Sequence, residues 1–181
     1  MGASHPVVNS LTYKFYTKGW QGITIEPNEA FNTLYKFIRP RDEHINCGIG
    51  TENGKADYYV FKKDPLNTFD WEVARGVAER HNVKIKKVKK QIYTLSHILE
   101  TRNVEKVDYL NVDTEGYDLK VLQSNNWEKW KPKLITIEDN QFTFETLDEN
   151  EIINYLRRLQ YKFFGIIRKN LFFKLNNKRR M

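Results

Sequence analysis

The residues best suited to chemistry sit in "VDYLNVDTEGYDLKVL", residues 107–122. An apolar, strand-like run stops on Asp113; Glu115 and Gly116 follow, and then a helical pattern begins. Carboxylates at the end of a strand can take a proton from a hydroxyl, hold a hard cation, or simply cap the next helix and complement its dipole. Two more strand-like runs end in acids. "QGITIEP" (21–27) reaches Glu26 before Pro27 stops it, and "KLITIED" (133–139) reaches Glu138 and Asp139. If these strands are parallel neighbours, their acids line one crevice, because ligands of open α/β sheets bind outside the carboxyl ends of the strands.

The elements that must position these acids can be read from periodicity and punctuation. Helices are expected over 7–19, ending at Gly19, and over 28–38, with Asn28 as N-cap. Residues 73–82 read as a short helix or a mobile segment, and further helices are expected over 96–103 capped by Ser96, over 116–125 and over 148–160. Strands are expected over 21–27, 43–50, 55–63, 83–95, 107–113 and 133–139, with 43–63 forming a hairpin around "TENG" and 161–175 a second hairpin around "RKN". Strands alternate with helices and a strand pair comes last. That order predicts an α/β fold with a mainly parallel sheet, helices on both faces and a C-terminal antiparallel hairpin.

With 181 residues the chain is long enough for one domain, read here as a core over 1–175 and a basic tail over 176–181. No run approaches the roughly 18 apolar residues of a membrane span. The single cysteine, Cys47, rules out an intrachain disulfide, and a cytoplasmic location is expected. The net charge of +7 gathers partly in "KIKKVKK" (84–90) and "NNKRR" (176–180). These read as solvated faces or as attraction to an anionic partner: an acidic glycan, a membrane surface or nucleic acid. No nucleic-acid motif accompanies them, which places nucleic acid last. "GIGTENG" (48–54) leads into a strand, whereas phosphate binding needs a helix N-terminus there, so it is not a dinucleotide fingerprint. His5, His44, His81 and His97 lack metal-ligand spacing.

Four segments, "GASHPVVNSLTYKFYTKGWQGITIEPN", "INCGIGTENGKADYYVF", "VDYLNVDTEGYDLKVL" and "KLITIED", taken in order, resemble the FkbM-type S-adenosylmethionine-dependent methyltransferases over roughly residues 2 to 140. The resemblance implies the class I methyltransferase fold, which is Rossmann-like, and O-methylation of a sugar, glycan precursor or secondary metabolite. It implies that Gly2 and Ala3 lie against the cofactor, that Glu26 with Pro27 and Asn28 accepts its ribose hydroxyls, and that Cys47 and Gly48 lie near its adenine. Asp113 and Glu115 would then stand near the sulfonium and the acceptor, where a carboxylate takes or orients the hydroxyl proton or holds a divalent cation. The family's first strand, ending in an Asp-x-Gly, is missing before Gly2. His5, Asn67, Thr68, Trp71, Glu138 and Asp139 are candidates for the small-molecule or glycan acceptor; Trp127 and Trp130 are expected to pack. Two other readings stay open: a non-catalytic remnant or interaction domain with this fold, and a basic module that binds a glycan or nucleotide sugar.

Overall fold

The computed structural model describes residues 1–62 and 67–176. It divides into two compact units, Met1–Thr94 and Leu95–Met181.

The first unit begins with a short helix, α1 (Tyr13–Thr17), where a helix over 7–19 is expected. Residues 7–12 form turns instead. Pro6 and the β-branched pair Val7–Val8 are poor helix formers, Asn9 adopts a positive φ of 57°, and His5 Nδ1 accepts the Val7 and Val8 N–H groups. Gly19, at φ 89°, closes the helix by donating to the Tyr16 carbonyl. Strand β1 (Ile23–Ile25) pairs in parallel with β2 (Glu43–Ile45). Between them the Asn28 side chain accepts the Ala30 N–H, capping a 3₁₀ turn (Glu29–Phe31) that leads into α2 (Asn32–Ile38).

The expected hairpin over 43–63 does not form. Residues 48–49 make a separate strand, β3 (Gly48–Ile49), and β4 spans Gly54–Phe61, with residue 63 outside the described residues. Both pair with β5 (Ile85–Tyr93), which lies between them, parallel to β3 and antiparallel to β4. Cross-strand charge favours this arrangement: Asp57 on β4 bridges Lys87 and Lys89 on β5 at 2.6 and 2.7 Å. Helix α3 (Trp71–His81), capped by Asp70, lays Ala74 and Val77 on Tyr59 and Phe61.

In the second unit, α4 (Leu95–Thr101) starts one residue before its expected cap. Ser96 instead donates to the Ser124 carbonyl, and the Leu95 N–H meets Ser124 Oγ. Strand β6 (Tyr109–Val112), α5 (Asp118–Gln123), β7 (Leu134–Glu138) and α6 (Glu151–Arg158) follow, and then the expected hairpin of β8 (Tyr161–Ile167) and β9 (Asn170–Leu175). The sheet order is β6-β7-β9-β8. Its apolar face is built from alternate residues: Val112, Ile135, Ile137, Leu171 and Phe173 are sealed from solvent, as are Ile153 and Leu156 on α6. Each such side chain contributes about 1.5–3 kcal/mol by burial. Trp127 and Trp130 pack as expected, their indole N–H groups donating to the Leu122 and Val104 carbonyls.

The α/β class is thus correct, but the sheets are mixed and not mainly parallel. Among the described residues three strand pairings are parallel and three antiparallel. The excess antiparallel pairing comes from β4, whose charge and aromatic pattern suits β5 better than a parallel neighbour.

Candidate active site

Glu26 follows directly after β1, and its backbone N–H donates to the Ile45 carbonyl of the parallel neighbour. Its carboxylate is buried yet well served: Oε2 accepts the Ser4 N–H and Oε1 the Asn28 N–H, each at 2.8 Å. Burial pushes its pKa up, and these two hydrogen bonds pull it back toward the ionised form. One lone pair on each oxygen remains for a ligand hydroxyl. Pro27 fixes the turn that lets Asn28 reach back.

The segment carrying Gly2, Ala3 and Ser4 is held beside β1. The Ala3 N–H donates to the Ile25 carbonyl, and the Ala3 carbonyl accepts the Tyr35 hydroxyl at 2.9 Å. Gly2 and Ser4 both have positive φ, 61° and 46°. At Ser4 a side chain tolerates that region only because the surroundings over-determine it. Two residues absent from the sequence reading hold this segment. Tyr35, almost wholly buried, stacks on His44 with ring centroids 4.2 Å apart. Arg39, 3% exposed, pairs with Asp42 at 2.5 Å and donates to the Pro6 carbonyl, Ser10 Oγ and Thr12 Oγ1. The sequence signal for Arg39 was weak: an Arg three residues before an Asp is ordinarily a surface pair.

Cys47 is buried, and Gly48 lies so close to Phe69 that a Cβ there would run into the ring. Asn46, also missed, donates from Nδ2 to the Glu26 carbonyl at 2.7 Å and accepts from Lys90. Of the other candidates in this unit, His5 Nδ1 is occupied as an acceptor, so a neutral ring carries its proton on Nε2; its edge meets Phe31. Asn67 Oδ1 accepts the Phe61 N–H, and Thr68 pairs with Tyr59 through the backbone. Trp71 is half-exposed and packs on Tyr59. Asn67 and Thr68 therefore spend at least part of their polar capacity on closing their own loop.

In the second unit, the parallel pairing of β6 with β7 sets two strand ends side by side, with Val112 opposite Ile137. Asp113 and Glu138 follow at those ends. Together with Glu115 they each bring a carboxylate oxygen to within 4.8 Å of the others. Burial raises Asp113 first, and the neighbouring Glu138, Glu115 and Asp118 charges raise it further, to about 7. A side-chain hydrogen bond from Asp113 to Glu138 adds to that rise. Asp139 does not join them: Oδ2 accepts Asn150 Nδ2 and Oδ1 the Gln141 N–H, which orders the loop ahead of α6.

Glu115 sits at φ 52° and Gly116 at φ 93°, a sharp turn that the buried carboxylate of Asp118 holds. Asp118 Oδ1 accepts the Thr114 N–H and Oδ2 the Gly116 N–H. Asp118 falls within the helix expected over 116–125; an acid two residues after Glu-Gly at a helix start was the available signal for its role. The arrangement can accept or share a proton near pH 7, or offer three carboxylate ligands to a hard divalent cation.

Residues 1–163 match the family model of the methyltransferase FkbM domain. The chain belongs to this family, whose activity is methyl transfer and whose fold is Rossmann-like α/β. No curated protein and no solved structure matches it.

Proposed function

We propose that the chain is an S-adenosylmethionine-dependent O-methyltransferase acting on a hydroxyl of a sugar, glycan precursor or secondary metabolite, with the whole chain working as one catalytic domain in the cytoplasm. The observation that carries this reading is the Asp113 carboxyl, held beside Glu138 and Glu115 and raised to about 7. A hydroxyl is a poor nucleophile until its proton leaves, and a carboxylate tuned near the working pH is an effective acceptor for it.

S-adenosylmethionine supplies a methyl carbon activated by a positive sulfur. Glu26 receives the ribose hydroxyls on its two remaining lone pairs, with Pro27 and Asn28 shaping the turn. Gly2 and Ala3 would run against the cofactor, and Cys47 and Gly48 would lie on its adenine side. Asp113 would take the acceptor hydroxyl's proton as the acceptor oxygen bonds to the methyl carbon and the carbon–sulfur bond breaks, with S-adenosylhomocysteine as leaving group; Glu115 would orient that hydroxyl. Glu138, with His5, Asn67, Thr68, Trp71 and Asp139, would complete the acceptor side.

A second reading rests on the same three carboxylates. Asp113, Glu115 and Glu138 would hold a divalent cation, which would polarise the acceptor hydroxyl in place of a protein base. The readings separate by chelation: activity that survives EDTA supports the carboxyl base, and activity that returns only with magnesium supports the cation.

Titration calorimetry with S-adenosylhomocysteine tests the cofactor assignment. Wild-type chain is expected to bind and Glu26→Gln to bind more weakly. A folded wild type that gives no heat at any concentration would overturn the reading in favour of a fold retained without its cofactor.

A further inference from the structure

The last strand pair carries a surface that methyl-transfer chemistry leaves unused, and nearly all of it lies beyond the residues matched by the family. Phe163 faces Phe173 and Gly165 faces Phe172, so Phe164 is an extra residue, a bulge in β8. Beyond it the register has moved by one, placing Ile166 opposite Leu171 and Ile167 opposite Asn170. The bulge thereby sends Ile166 toward the core face and Ile167 to the outer face, beside Phe164 and Phe172. Phe164 and Phe172 meet edge to face at 6.0 Å. Phe164 is 56% exposed and Ile167 66%.

Lysines frame this patch. Lys162 and Lys174 stand opposite each other at one end of the strand pair, and Arg168 and Lys169 form the exposed turn at the other. Like charges directly opposite are unfavourable, and no carboxylate in β8 or β9 relieves them. Residues 161–181 contain seven Lys and Arg and no Asp or Glu, which equals the net +7 of the entire chain; the preceding 160 residues are balanced. Exposed aromatic and aliphatic side chains flanked by cations at both ends of the strand pair are what an anionic bilayer surface attracts: the apolar groups enter the headgroup–acyl boundary while the cations meet lipid phosphates and carboxylates. A single-stranded nucleic acid would ask for flat stacking partners, and Ile167 is not one.

We propose that the outer face of β8 and β9, centred on Phe164 and Ile167, docks on an anionic lipid bilayer. The full chain would be sedimented with phosphatidylcholine vesicles containing about 30% phosphatidylserine and with pure phosphatidylcholine vesicles, at about 0.1 M salt. The expected result is capture by the anionic vesicles and roughly tenfold weaker capture by neutral ones. A Phe164→Ser/Ile167→Ser double variant should lose roughly tenfold in capture with unchanged thermal unfolding. Phe164→Cys carrying a polarity-sensitive dye should shift to shorter emission wavelength on anionic vesicles. No capture, equal capture by both vesicles, or an unmoved dye spectrum would overturn the proposal. So would single-stranded DNA displacing the chain from vesicles while the double variant loses DNA binding, an outcome that assigns the face to nucleic acid.

Discussion

Glu26, buried, and Asp113, part-buried, are carboxylates at the ends of short parallel strands, yet their immediate neighbours differ. In the first unit burial raises the Glu26 pKa, and a backbone N–H on each carboxylate oxygen offsets part of that rise. In the second unit Asp113 meets other carboxylates, so the surroundings favour the proton. The same residue class at the same topological position thus meets hydrogen-bond donors in one place and like charges in the other. The cores differ likewise. The first unit encloses a charged node, Arg39 with Asp42, whereas one face of the sheet in the second is sealed by apolar side chains.

The sharpest way to break this comparison is Asp113→Asn. It keeps shape and hydrogen-bonding capacity but removes the proton acceptor. Transfer of labelled methyl to a panel of hydroxylated sugars should fall by about 10²–10⁴-fold. Unchanged transfer would mean that Asp113 is not the base. Arg39→Ala comes next, because it leaves Asp42 buried without its partner. Loss of a buried charge partner costs about 3–5 kcal/mol, so urea unfolding of the first unit should move to much lower concentration. A shift under about 1 kcal/mol would show that the node is solvated in practice.

Glu26→Gln tests the hydrogen-bonded half of the comparison. Hydrogen bonds to a charged group contribute about 1.5–3 kcal/mol, so the affinity for S-adenosylhomocysteine should drop by roughly 10–150-fold in calorimetry. The smallest effect concerns pH. Asp113 has a folded pKa of about 7 against an ordinary 3.8. Its contribution to stability is therefore whole below about pH 4 and is lost as pH rises through about 7. Asn mimics the protonated form. The melting temperature of Asp113→Asn should match wild type near pH 4 and exceed it at pH 8. A difference that stays flat from pH 4 to 8 would remove the like-charge argument.

Much of the fold was legible because its signals are local. "ITIEP" predicts a strand stopped by Pro27, Asn28 predicts a cap, and the apolar periodicity of residues 148–160 predicts α6. All three depend on side chains a few residues apart. The pairing of β5 between β3 and β4 was not legible. Whether Asp57 meets Lys89 across a ladder depends on which strands are neighbours, and no short stretch states that. The acids at the ends of β6 and β7 were visible as candidates; their approach to one another was not.

By itself, the amino-acid sequence determined the α/β alternation, the acids at three strand ends, the family and the basic C-terminal segment, since each follows from residue type and spacing along the chain. Only the tertiary structure decided that Glu26 is surrounded by N–H groups and Asp113 by carboxylates, that Arg39 is buried, that Asp118 holds the Glu115 turn, and that one bulge turns Ile167 outward beside Phe164. Those outcomes depend on distances between residues far apart in the chain or on strand register, and burial and charge act through space.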